Sequence, residues 1–188
     1  MSKTHEDINE TLAAFIERQH MFFVATAPLS GDGHVNVSPK GHDTFTIIDR
    51  KTVAYLELTG SGSETAAHLR ENGRIVLMWC AFEGPPNIVR IHGRGRFALP
   101  GTEEFERLRP RFGDYPGVRS IVVVEATRVS DSCGYTVPKF TFDGDRDQLT
   151  RWAIKKGPDG LDAYRRERNR TSVDGLPSFH PTDGETEQ

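Results

Sequence analysis

Lys40 stands next to last in the stretch VNVSPKG at residues 35–41, and Tyr55–Asn72 then reads YLELTGSGSETAAHLREN, a strand, a glycine-rich loop and the start of a helix. A glycine turn lets the backbone approach a bound phosphate, and the first turn of the following helix directs unpaired N–H groups at it. Thr59, Ser61, Ser63 and Thr65 add hydroxyl donors around that helix start, and Lys40 supplies a mobile counter-charge. Together they suit a phosphate monoester. The competing reading is purely structural, because Ser61 and Glu64 also spell the S-x-x-E capping box that a helix carries for its own sake.

Other candidates surround this centre. Arg90 and Arg94 are four apart in IVRIHGRGRF, so a period of two places them on one strand face with His92, either to grip phosphate or carboxylate or as a solvated exterior. Gly93 and Gly95 mark positions where another backbone or a ligand comes close. Trp152, beside Ala153 and Ile154, either packs an interface or lies over a flat cofactor ring. The loop TGSGSET falls short of the dinucleotide fingerprint, since Thr65 stands at the third glycine and the strands around it are not in βαβ order.

Several chemistries lack their residues. The seven histidines never take H-x-x-x-H or H-E-x-x-H spacing, no serine lies in G-x-S-x-G, and Cys80 and Cys133 form no C-x-x-C pair. No metal site, hydrolytic nucleophile or disulfide framework is expected.

The elements that must position these groups follow from periodicity. A helix is expected over residues 8–18, with Leu12, Phe15 and Ile16 turned inward, before the period shifts to two. Phe22–Thr26, Val35–Ser38, Thr44–Ile48 and Val53–Leu58 read as four strands of an antiparallel meander. A helix at 63–71 ends at Asn72-Gly73; strands at 75–82 and 88–99 flank the EGPPN turn; a helix at 101–112 and a strand at 120–129 follow. The expected architecture is mainly β (α+β), a six- to seven-stranded antiparallel barrel with flanking helices.

At 188 residues and net charge -3 the chain suits one domain at 1–144 with a C-terminal appendage at 145–188, whose helices are interrupted at Gly157-Pro158. Residues 181–188 read as a disordered tail. A sequence pI near 6.2 leaves no nucleic-acid footprint, and no segment approaches the apolar length of a membrane span or signal peptide. A reducing cytoplasm is the expected location.

The order of these segments, from the strand ending in VNVSPKG through LTGSGSETAAHLRENGRIVLMW to IVRIHGRGRF, resembles the pyridoxamine 5'-phosphate oxidase-like family of flavin-binding split β-barrels, over residues 8–129. The resemblance implies a homodimer that binds FMN, holding its phosphate on the strand of Val37, Ser38 and Lys40 and on the loop from Thr59 to Thr65. Where the family's helix start carries Ser-Arg-Lys, this chain has Ser63, Glu64 and Thr65, so Lys40 with Arg90 or Arg94 must offset the phosphate charge while Glu64 caps its helix. Phe105 replaces an expected tyrosine, Arg109 is the one match in that helix, and the C-terminal R-L-H signature is absent, which implies a small organic substrate other than a B6 vitamer. By the same analogy Trp152 and the tail Ser172–Phe179 shape the substrate side. Two further readings stand beside FMN: a deazaflavin-dependent reductase with a basic mouth of Arg90, Arg94, Arg107 and Arg109, and a non-catalytic flavin or haem carrier with His68 or His92 as the axial ligand.

Overall fold

A computed structural model describes residues 2–179, so the expectation for residues 181–188 lies outside the described residues. The strands are β1 Lys3–His5, β2 Phe22–Thr26, β3 Asn36–Lys40, β4 Phe45–Ile47, β5 Thr52–Leu58, β6 Arg74–Cys80, β7 Ile88–Ala98 and β8 Val118–Ser132. The helices are α1 Glu10–Glu17, α2 Glu64–Asn72, α3 Glu103–Leu108 with a 3-10 turn at Arg109–Arg111, and α4 Gln148–Arg168. All strand pairings are antiparallel, in the order β3-β2-β6-β7-β8-β5-β4, with β1 added on β8. The expected split β-barrel class holds.

Two details differ from the sequence expectation. The first four strands are not a meander: β2–β3 and β4–β5 are separate hairpins at opposite ends of the sheet path, because β5 pairs with β8 and β2 with β6. Nor does the barrel close, since no strand pairing joins β3 to β4 among the described residues. Period-two patterning identifies strands but not their partners, and the β3–β4 link, with His42 at φ 59, crosses to the other edge rather than turning back. Strand β1 was not expected, because Lys3-Thr4-His5 is too short and polar to show alternation.

Strand alternation builds two cores. Val53 and Tyr55 of β5 join Val122 and Val124 of β8 in the main core, where α1 inserts Leu12, Phe15 and Ile16. Ala54 and Leu56 face the other way, with Ile121 and Val123, and meet Phe105, Leu108 and Phe112 around α3. Thus β5 and β8 are buried on both faces, and any polar side chain they carry must find a partner inside. The helix α2 ends as its sequence indicates, with Gly73 at φ 68 donating its N–H to the carbonyls of His68 and Leu69. Gly73→Ala is expected to cost about 1 kcal/mol, because a Cβ disfavours that left-handed cap, and urea unfolding measures it. Likewise α4 breaks at Gly157, φ 67, where the Gly-Pro pair predicts an interruption.

Candidate functional site

One irregularity in the central pairing creates the site. The β5–β8 register passes from Glu57↔Ser120 to Leu58↔Val118, which leaves Arg119 as an extra residue in a β-bulge. Bulges re-aim side chains, and here the Arg119 guanidinium comes to lie 2.8 Å from Oε1 of Glu57 on the doubly buried strand. From β3 the Lys40 ammonium donates to both Glu57 oxygens, at 3.1 and 3.2 Å. Burial pushes the Glu57 carboxyl up, but Lys40 and Arg119 outweigh it and hold the group below its usual range.

These three residues line a cavity of about 420 Å³. Alternation along β3 brings Asn36, Ser38 and Lys40 to it; Gly60, Gly62, Ser63, Glu64 and Thr65 supply its loop and helix-start wall. Arg119 also donates from Nη1 to the carbonyl of Gly62, 3.0 Å away, yet its buried Nε–H has no hydrogen-bond partner among the described residues. A buried, unsatisfied guanidinium donor on a polar cavity marks a place for an acceptor that the chain does not itself provide.

The expected capping box does not form. Ser63, not Ser61, is the N-cap residue, and its hydroxyl donates to the carbonyl of Thr171 at 2.9 Å and accepts from no helix N–H. Glu64 instead turns back so that Oε2 accepts the Ser63 N–H at 3.1 Å. Ser61 is exposed, and its carbonyl and that of Gly60 accept from the Asn169 side chain. The Thr59 hydroxyl is fully engaged, donating to Gly117 and accepting from Arg165 Nε.

Among the sequence candidates the fold therefore brings Ser38, Lys40, Ser63 and Thr65 together and leaves the others outside the cavity wall. Val37 alternates to the opposite face of β3 and is 61% exposed. Arg90 bonds the Ser132 hydroxyl, and Arg94 donates to the carbonyl of Asn72 at 2.6 Å, capping the end of α2. Trp152 packs edge-on against Tyr164, with Lys156 over both rings. Glu57, Arg119, Asn36 and His42 were not singled out from sequence; the one available signal was a carboxylate, Glu57, inside the apolar run VAYLEL.

The segment after α4 folds back over the loop. Ser178 donates to the carbonyl of Ser63 at 3.0 Å, the Phe179 ring lies 4.6 Å from the Arg119 guanidinium carbon, and Asp174 clasps His34 through its backbone N–H and Nδ1. The Asp174 hydrogen bond, then its charge, raises the His34 pKa; the same bond, followed by the His34 backbone N–H, lowers that of Asp174. The histidine contribution is complete below the ordinary value of 6.5 and fades as pH rises through the raised folded value. The aspartate contribution is complete above 3.8 and fades as pH falls through the lowered one, so the clasp is firmest between the two. Proton NMR titration of the His34 ring is expected to give a midpoint above 6.5 that returns to 6.5 in Asp174→Asn.

A half-barrel carrying an anion-ready cavity at a strand–loop–helix junction defines a class, and the chain belongs to it: residues 8–133 match the family model described as pyridoxamine 5'-phosphate oxidase. It is 34% identical over 195 residues to the pyridoxamine 5'-phosphate oxidase family protein ustO of Aspergillus flavus, covering 94% of this chain and 77% of that one. Among solved structures it is similar to a Lactobacillus delbrueckii protein described as a candidate pyridoxamine 5'-phosphate oxidase, with TM-score 0.53, 18% identity and coverage of 68% and 98%. HupZ of Group A Streptococcus aligns with TM-score 0.50 at 22% identity, covering 65% of this chain and 91% of that one. These two structural likenesses concern the fold.

Proposed function

We propose that this chain is a flavin-dependent oxidoreductase that seats the phosphate of FMN in the 420 Å³ cavity and acts, as a homodimer, on a small organic substrate. The observation that carries this reading is the buried Arg119, whose Nε–H is unsatisfied, placed with Lys40 beside the start of α2 in a chain of this family. The lining suits a phosphate on a polyol: two cations for the anion, and hydroxyl oxygens of Ser38, Ser63 and Thr65 able to accept from the hydroxyls of the chain that follows. Glu57 holds both cations in place, at the cost of neutralising part of their charge. Glu64 must leave the Ser63 N–H when an anion takes that donor. Bound flavin supplies reversible hydride transfer, so the protein needs to position and enclose rather than to provide a nucleophile.

The rival cofactors find less support. Arg107 pairs with Glu104 and Arg109 with Asp114, and neither they nor Arg90 and Arg94 line this cavity, so these four arginines do not form a basic mouth for a longer deazaflavin tail. His68 is buried with a ring nitrogen 2.9 Å from the Thr26 hydroxyl, and neither it nor His92 faces the cavity as an axial haem ligand would. Titration of the purified protein with FMN and with the deazaflavin cofactor, followed by fluorescence quenching, tests the choice. FMN is expected to bind at micromolar or tighter affinity; tight binding of the deazaflavin alone, or a Soret band in the purified protein, overturns it. Light scattering is expected to give twice the 21.0 kDa chain mass.

Among the described residues no helix is long and apolar enough to cross a membrane, and no cluster of His, Cys, Asp and Glu is arranged to hold a metal ion.

A further inference from the structure

A second cavity of about 740 Å³ adjoins the first, the two sharing Pro39, Lys40, Gly41 and His42 as a common wall. Its character is different. Phe15, Met21, Phe82, Phe140 and Phe142 make it largely apolar, and its volume falls in the range of small-molecule sites. The outer wall is the extended run 140–146, which lies beyond the residues that match the family model.

That wall is built from rings. His20 and Phe142 stack with centroids 3.7 Å apart and planes inclined by 7°, and Phe82 and Phe140 meet at 5.5 Å. The run is pinned to the turn after β6 by the Phe140 N–H on the carbonyl of Phe82 at 3.0 Å and the Phe142 N–H on Glu83 Oε1 at 3.3 Å. Even so, Phe140 remains 60% and Phe142 43% exposed, which leaves large ring faces open to a further flat group. The charges do not favour an anion: Arg18 and Arg146 are offset by Glu83 and Asp145 on exposed rim positions, and Lys40 on the shared wall is held by Glu57.

The geometry points to this second cavity as the binding site of a planar, uncharged aromatic substrate, stacked against Phe142 and His20 beside the cofactor cavity. The assignment of the ligand as substrate rests on the flavin reading above; the preference for a phosphate-free ring rests on the lining alone. His42, in a left-handed conformation at φ 59 with its Nδ1 3.8 Å from Asp145, lies on the shared wall where the two ligands would meet.

Isothermal titration of the FMN-treated protein with 2-naphthol, and with pyridoxal 5'-phosphate as the phosphate-bearing comparator, tests this. The expected result is that 2-naphthol binds at least tenfold more tightly than pyridoxal 5'-phosphate. Phe142→Ala and His20→Ala should each weaken 2-naphthol at least tenfold while FMN affinity changes less than twofold. The inference is overturned if pyridoxal 5'-phosphate binds more tightly, if neither variant affects 2-naphthol, or if 2-naphthol competes with FMN. It is also overturned if 2-naphthol does not bind and Phe142→Ala converts a dimer to a monomer, since the rings would then be covered by a second copy. Should FMN itself fail to bind while 2-naphthol still binds in a Phe142-dependent way, the flavin reading falls and the aromatic site stands.

Discussion

Glu57→Gln is expected to lower stability by about 3–5 kcal/mol, the range found when one partner of a buried ion pair is removed and an uncompensated charge remains. The side chains of Glu57 and Arg119 are 7% and 4% exposed and that of Lys40 is 22% exposed, so little water can replace the lost carboxylate. Two cations would then share a neutral amide in place of a carboxylate. The same argument fixes the pH dependence of the native protein. Because the folded Glu57 pKa is depressed below 4.5, its stabilising contribution is complete above that value and disappears as pH falls through the lowered one. Urea unfolding at neutral and acidic pH should show an acid loss in the native chain that is smaller in the variant. Inorganic phosphate should restore part of the variant's stability, because an anion in the cavity replaces the missing charge.

Trp79→Ala carries a comparable penalty, about 3–5 kcal/mol, for a different reason. Trp79 is 1% exposed, packs edge-on against Phe45 at 4.9 Å and stacks on Phe22 at 5.6 Å. Those contacts join β4 and β2, whose hairpins stand at opposite ends of the sheet path, across the interior of the half-barrel. Truncation therefore leaves a cavity and removes a tie between two edges that no strand pairing joins among the described residues. Thermal or urea unfolding measures the loss, and a variant within 1 kcal/mol of the native chain would show that the two edges hold together by other means.

What could be read in the sequence follows the range of each interaction. The helix start after TGSGSE, the left-handed cap at Gly73 and the break at Gly157 are local, and the chain's own residue types announce them. Lys40 was legible as a cation at a strand end, and the family resemblance was legible from segment order. The Glu57–Arg119 contact spans a separation of 62 residues and depends on a bulge, and no periodicity reports a bulge before the pairing is known. The same limit explains Arg90 and Arg94: spacing shows that they can share a face, but not that the end of α2 would claim Arg94. Ser61 misled for a local reason, because the loop runs on to Ser63 before the helix begins, and Glu64 bonds the adjacent N–H instead of reaching back to Ser61. Val37 alternates with Ser38 along β3, so its side chain takes the opposite, solvent-exposed face.

The direct test of the phosphate seat is to measure FMN and riboflavin binding side by side, because the two differ only in the group that Arg119 and Lys40 are placed to receive. Hydrogen bonds to charged groups contribute roughly 1.5–3 kcal/mol each, so FMN should bind at least about a hundredfold more tightly than riboflavin. That ratio should collapse toward one in Arg119→Met. Equal affinities for the two flavins in the native protein would contradict a phosphate site between β3, the β8 bulge and the start of α2.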